Sequence, residues 1–144
     1  MQSNLIWQLP PRERLLNWRQ FRQSLEGLPI PENLQKCVDW WKLVPLDKRV
    51  IDPYFSQDWP SPWDLIYNGK FDENAIALGV FYTLHYLGLE CEVQLIQDHD
   101  DDFLGLVVVV DKQWVVCRNY GEVNTIDTIP TKAKLEIWTA EQLT

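Results

Sequence analysis

The sequence predicts an α+β domain in which helices come first and an antiparallel sheet second. Three observations carry this. Apolar residues recur every three to four positions before residue 88, whereas from Cys91 onward they alternate with polar ones. The segment 73–87, ENAIALGVFYTLHYL, is apolar around most of its girth, which is the mark of a helix buried at the centre of a domain. Runs of helix followed by runs of strand are the α+β pattern.

The chain has 144 residues and 46% hydrophobic content, enough for one core, so wholesale disorder is excluded. Residues 10–29 predict a first helix. Pro11 suits its opening turn, Leu15, Trp18, Phe21 or Arg22, and Leu25 form one face, and Gly27 and Pro29 stop it. A second helix starts at Pro31-Glu32, carries Leu34, Val38 and Trp41, and ends before Pro45. Residues 45–60, with three prolines, read as extended loop. Ser61-Pro62-Trp63-Asp64 is a hydroxyl cap, a first-turn proline and a carboxylate three residues after the cap, so a short helix runs from there to Asn68-Gly69. Asp72 caps the central helix and Gly88 ends it. Cys91–Leu95, Leu104–Val110, Gln113–Cys117 and Lys134–Trp138 then read as strands, with Asp111-Lys112 as a tight hairpin turn.

Charge and cysteine usage narrow the function. Net charge is −8, yet residues 1–50 hold eight Lys/Arg against five Asp/Glu, and residues 51–144 hold five against sixteen. A body this acidic repels a phosphate backbone, so a nucleic-acid binder is not expected. No apolar run has the roughly 20 residues of a membrane span, and the first residues do not read as a secretory leader. Cys37, Cys91 and Cys117 lack zinc-ligand spacing, and no metal or cofactor is expected. The acidic run Asp98–Asp102 fails the calcium-loop template, because Phe103 and Val109 stand where glycine and glutamate belong. Cys37 falls mid-helix and Cys91 and Cys117 fall in strands, while His85 and His99 are the two possible bases.

The stretch Trp59-Pro60-Ser61-Pro62-Trp63-Asp64-Leu65-Ile66-Tyr67-Asn68-Gly69-Lys70-Phe71-Asp72-Glu73-Asn74-Ala75 resembles the bacterial transglutaminase-like cysteine proteinases. That family has a tryptophan, a proline-initiated short helix, a glycine, and then a nucleophilic cysteine opening the central helix. Leu87-Gly88-Leu89 and the strands around Leu106–Val110 and Trp114–Val116 continue the likeness. The resemblance implies a papain/transglutaminase-like fold over residues 50–144, preceded by a helical segment over residues 1–49, in one compact unit. At the nucleophile position stands Asp72 or Glu73. Leu104, Gly105 or Leu106 stands at the histidine position, and Arg118-Asn119 stands where the family has Asp-Asn. Asp72, Glu73, Leu104 and Asn119 are therefore expected to be degenerate active-site positions, with no catalytic residue.

A second likeness lies in Trp18-Arg19-Gln20-Phe21-Arg22-Gln23-Ser24-Leu25-Glu26-Gly27-Leu28-Pro29, which is similar to a helix of tailed-phage tail-fibre assembly and baseplate-associated proteins. The segment from Trp59 to Ile66 is similar to small proteins of large tailed phages. Together these imply a non-catalytic assembly protein or component of a phage particle, located in host cytoplasm or virion rather than secreted. It would contact other protein subunits, neither nucleic acid nor membrane, through Trp18, Arg22, Trp40, Trp41, Trp59 and Trp63. The alternative is a cysteine hydrolase or acyl-transferase of this fold whose nucleophile is Cys37 or Cys91. A third reading is a small-molecule or metal-binding module around Asp72.

Overall fold

The computed structural model describes residues 5–47, 51–69, 72–100, 102–117, 122–129 and 133–144. Its elements are helices α1 (Leu5–Gln8), α2 (Pro11–Ser24), α3 (Ile30–Trp41), α4 (Pro62–Asn68) and α5 (Glu73–Tyr86), strands β1 (Cys91–Asp98), β2 (Phe103–Val110), β3 (Trp114–Val116), β4 (Val123–Thr125) and β5 (Lys134–Thr139), and a last turn of helix α6 (Ala140–Leu143).

The strands form one antiparallel sheet in the order β4-β3-β2-β1-β5. The long hairpin β1–β2 pairs Cys91 with Val110 and Asp98 with Phe103. Asp111 and Lys112 both take left-handed φ values, 54° and 55°, and the Gln113 N–H donates to the Val110 carbonyl at 3.0 Å, which is the turn geometry that the twist of a hairpin favours. α1, β4 and α6 were not legible in the sequence, since three or four residues are too few to show a period.

α5 covers one face of the sheet. Every residue from Ala75 to Leu84 is buried, because its neighbours are α3 and α4 on one side and β1 and β2 on the other. Val93, Leu95, Leu106, Val108 and Val116 meet it from the sheet, while Ile96, Val107, Val109 and Val115 fill a smaller cluster on the opposite face. That division follows from the period of two.

The helices of residues 1–49 do not sit outside this core. Trp18 of α2 and Trp41 of α3 are fully buried, and both indole nitrogens donate to the hydroxyl of Thr83 in α5, at 2.9 and 2.8 Å. Thr83 Oγ1 in turn donates to the Gly79 carbonyl at 2.8 Å. Gly79 is required here, as a Cβ would lie 2.6 Å from the Trp41 ring. α2 also turns a different face inward than its leucines suggest. Arg14 is buried, Nε donating to the Leu9 carbonyl at 2.9 Å and Nη1 to that of Ile66 at 2.8 Å, and Leu15 is left facing solvent. Two carbonyls that α1 and α4 leave unpaired are thus satisfied by one guanidinium.

Candidate active site

Three local structures converge at the N-terminal end of α5. The first is the approach to the helix. α4 begins with a complete capping box between Ser61 and Asp64 and stops at Gly69, whose φ of 68° is left-handed. A side chain at Gly69 is also excluded by Arg14, whose Nη1 would lie 2.0 Å from its Cβ.

The second is the cap itself. Asp72 Oδ1 accepts from the Ala75 N–H at 2.9 Å, and Oδ2 accepts from the Ile51 N–H at 2.6 Å. Both oxygens are committed, so Asp72 is a structural clamp between the helix and the loop before it, and not a reagent. Asn74 Oδ1 accepts from the Leu106 N–H at 3.1 Å, which fixes the first turn of α5 against β2. The Asp72 side chain and carbonyl take the N–H groups of Ala75 and Ile76, leaving those of Glu73 and Asn74 as the first-turn amides outside the cap.

The third is the end of β3. Strand alternation would send Cys117 to the face opposite Val116. Instead its φ is 72°, and the side chain, half-buried, packs with the cluster beneath α5. A non-glycine residue in this region costs about 1–2 kcal/mol. Such strain concentrates where function over-determines the backbone. Burial, and then the charge of Glu73, push the Cys117 thiol up to about 12. Its proton is therefore held in the free protein, and the Glu73 carboxylate is the charged group whose field it feels.

The expected site residues are thus divided. Asp72 and Glu73 are brought to the same corner as Leu106, while Leu104 at the start of β2 is 48% exposed and carries no chemistry. Asn119 lies outside the described residues. Cys37 and Cys91, the nucleophiles first considered, are both buried. Their thiols donate to the carbonyls of Val80 at 3.9 Å and Phe81 at 3.8 Å, and burial raises both pKa values, that of Cys91 to about 12. A cysteine after a valine pair reads as one more strand residue, and the left-handed φ of Cys117 leaves no mark in the sequence. His85 occupies the last turn of α5, roughly 18 Å along the helix from Glu73 at 1.5 Å per residue. His99 is exposed in the β1–β2 turn.

The proposed contact tryptophans need correcting as well. Trp18, Trp40 and Trp41 are buried in a ring cluster with Trp7 and cannot anchor a partner, because their apolar surface is already spent on the core. Trp59 is half-buried, 4.6 Å from Trp138, with its Nε1 donating to the Asp52 carbonyl. Of the six, Trp63 is exposed and Arg22 is half-buried beside it.

No family model and no curated protein matches the chain. Solved structures do. Calcium-bound LapG of Legionella pneumophila superposes with a TM-score of 0.70 at 15% identity, covering 92% of this chain and 81% of LapG. LapG itself and its EGTA-treated form give 0.67 at 17% identity, over 92% and 91% of this chain and 79% and 78% of theirs. The fold is transglutaminase-like.

That result overturns the expectation of a non-catalytic phage assembly protein. LapG has the transglutaminase-like cysteine protease fold, and the likeness extends over nine-tenths of the chain, far beyond the segment of residues 18–29 whose pattern suggests a phage protein. Nothing in the comparisons points to a virion, and the conclusion that the chain is not an enzyme falls with it. Substitution at the motif positions is not by itself loss of chemistry, since the charge of Glu73 reaches a thiol, that of Cys117, just past β3. One LapG structure carries calcium. Among the described residues of this chain no group of three or more His, Cys, Asp or Glu side chains could hold a metal ion, so no step is assigned to one.

Proposed function

We propose that the chain is a cysteine hydrolase or acyl-transferase of the transglutaminase-like fold, acting on amide or ester substrates with Cys117 as an atypical nucleophile. One observation carries the reading. Cys117 alone of the three cysteines is not fully buried, its backbone is left-handed, and the charge of Glu73 at the start of α5 reaches its thiol.

The chemistry follows from the parts. As Cys117 sulfur attacks the carbonyl carbon, its proton passes to the Glu73 carboxylate. The developing oxyanion is received by the first-turn amides of α5 that the Asp72 cap leaves over, at the positive end of the helix. Collapse expels the amine or alcohol, which takes the proton back from Glu73, and leaves a thioester on Cys117. Water or a second amine then releases the acyl group. Burial and the charge of Glu73 favour the protonated thiol, so in this reading the proton leaves as the sulfur attacks.

The test is turnover of a fluorogenic peptide-amide and ester panel by the wild type and by Cys37→Ala, Cys91→Ala and Cys117→Ala. Loss of turnover confined to Cys117→Ala, together with a trapped acyl group mapped to Cys117 by mass spectrometry, is the expected result. Turnover that survives in Cys117→Ala refutes the assignment, as does the absence of any turnover by the wild type.

A further inference from the structure

The exposed side of α2 is unlike the rest of this acidic molecule. Away from its buried residues Arg14 and Trp18 it exposes Arg12, Leu15, Leu16 and Arg19, with half-buried Arg22 at the margin of that face. Beside it α4 presents Trp63, 53% exposed, and Tyr67, 68% exposed. Two adjoining hollows of about 600 and 460 Å³ run between the helices and share Arg12, Leu15 and Trp63. Their floor is apolar, and Asp64 is the one carboxylate among their lining residues. Contiguous exposed apolar surface of this kind, four large residues on two adjoining helices, marks an interaction site.

The arginines say what would fill it. The Arg22 guanidinium lies over the Trp18 ring, 4.3 Å from its centroid, and 5.5 Å from that of Tyr86. Trp18 in turn meets Trp63 edge-on at 5.9 Å, so the stack is fixed from both sides. Arg22 Nε is buried with no hydrogen-bond partner among the described residues, and none of the three arginines is in a salt bridge there. Burial lowers the Arg22 pKa, Tyr86 raises it and the neighbouring charge of Arg19 lowers it, so an approaching carboxylate would offset the net cost of holding the charge there. A planar, pre-oriented guanidinium over an apolar trough is matched by a carboxylate followed by large apolar side chains.

We infer that the α2–α4 groove docks an acidic, leucine- or aromatic-bearing peptide segment of a partner protein, with a carboxylate on Arg22 and apolar side chains between Leu15 and Trp63. This goes beyond the hydrolase reading and does not depend on it. The groove is built from different elements than the Cys117 corner, and its test is binding.

The experiment is selection of a random peptide display library on the full chain, followed by affinity measurement of the consensus peptide by fluorescence anisotropy. Enriched sequences should pair Asp or Glu with Leu, Phe or Trp. Arg22→Glu and the solvent-exposed variant Leu16→Ser should each weaken the consensus peptide roughly tenfold or more. Arg22→Lys should weaken it too, since the charge stays and the fork is lost. Circular dichroism of Leu16→Ser guards against simple unfolding. No enrichment, or enrichment indifferent to Leu16→Ser and Arg22→Glu, overturns the inference. So does concentration-dependent self-association through this face, or binding of phosphatidylserine–phosphatidylcholine vesicles in place of peptides.

Discussion

The two ends of α5 each have a cysteine nearby whose thiol is pushed up to about 12 by burial and by neighbouring carboxylate charge, and they differ in the direction of the helix field. At the C-terminal end His85 and Cys91 line one cavity of about 470 Å³ together with Glu90 and Glu92. An imidazole and a thiol around a common hollow look like a catalytic pair. Yet the Cys91 thiol donates to the Phe81 carbonyl, and burial, Glu90 and Glu92 all favour its protonated form. The negative end of the helix dipole acts in the same direction. At the N-terminal end there is no imidazole among the described residues of the corner, but there are amide donors, the positive end of the dipole and one carboxylate beside a half-buried thiol. Residue inventory favours the first end and field direction favours the second. For acyl transfer, where an oxyanion must be stabilised, the field decides.

The sharpest way to break this comparison is Glu73→Gln. It removes the charge that holds the Cys117 proton, so alkylation of Cys117 by iodoacetamide should become faster. It also removes the base, so turnover should fall by about 10²-fold or more. Opposite signs in the two assays are the expected result, and a parallel fall in both would mean that Glu73 is merely structural.

Alkaline pH sharpens it further. Cys91, Cys117 and Tyr82 are each pushed up to about 12 in the folded chain, with burial the first cause in every case. Their raised values mean that the folded state keeps protons which the unfolded chain gives up, the thiols from about pH 9 and the phenol from about pH 10. Stability is complete below pH 9 and should fall as pH rises from there toward 12. Urea midpoints measured at intervals from pH 8 to 10.5 check this, and Cys117→Ser should flatten the fall. A midpoint that is constant or rising across that range would contradict it.

Asp72→Ala should lower unfolding free energy by about 1–2 kcal/mol, through loss of the cap and an orphaned Ile51 N–H. Asp72→Asn should recover the part that belongs to the cap. Smallest of all, Cys91→Ser should leave turnover within about twofold of wild type, since that thiol does no chemistry. A large catalytic loss in Cys91→Ser would move the active site to the other end of the helix.

Much of the fold was legible because period is a direct imprint of packing. The all-apolar run 73–87, the hydroxyl-proline-carboxylate start at Ser61–Asp64 and the valine run of β2 each mean one thing physically. The orientation of α2 was not legible. Leu15 and Leu16 look like core and Arg14 looks like surface, but the carbonyls of Leu9 and Ile66 need a donor, and a guanidinium reaches both. The candidate site was half legible. The motif around Asp72 marks the start of α5, the corner to which the proposed site is assigned, while the substitutions in it do not by themselves say whether chemistry is present. Cys117 could not be found by pattern, because what singles it out is one backbone angle and the proximity of a residue 44 positions earlier.

The Thr83 hydroxyl has one proton and two lone pairs, and all three are used, by the Gly79 carbonyl and by the indoles of Trp18 and Trp41. Over evolutionary time this binds the fate of three distant codons. Valine at 83 would strand two indoles, and a smaller ring at 41 would leave a void above Gly79 that invites a side chain there and then forbids the tryptophan's return. Among descendants of this chain, positions 18, 41, 79 and 83 should be inherited as a haplotype, changing together or not at all. A lineage that had lost one of the four would mark a branch from which the original arrangement is reached again only through poorly folded intermediates.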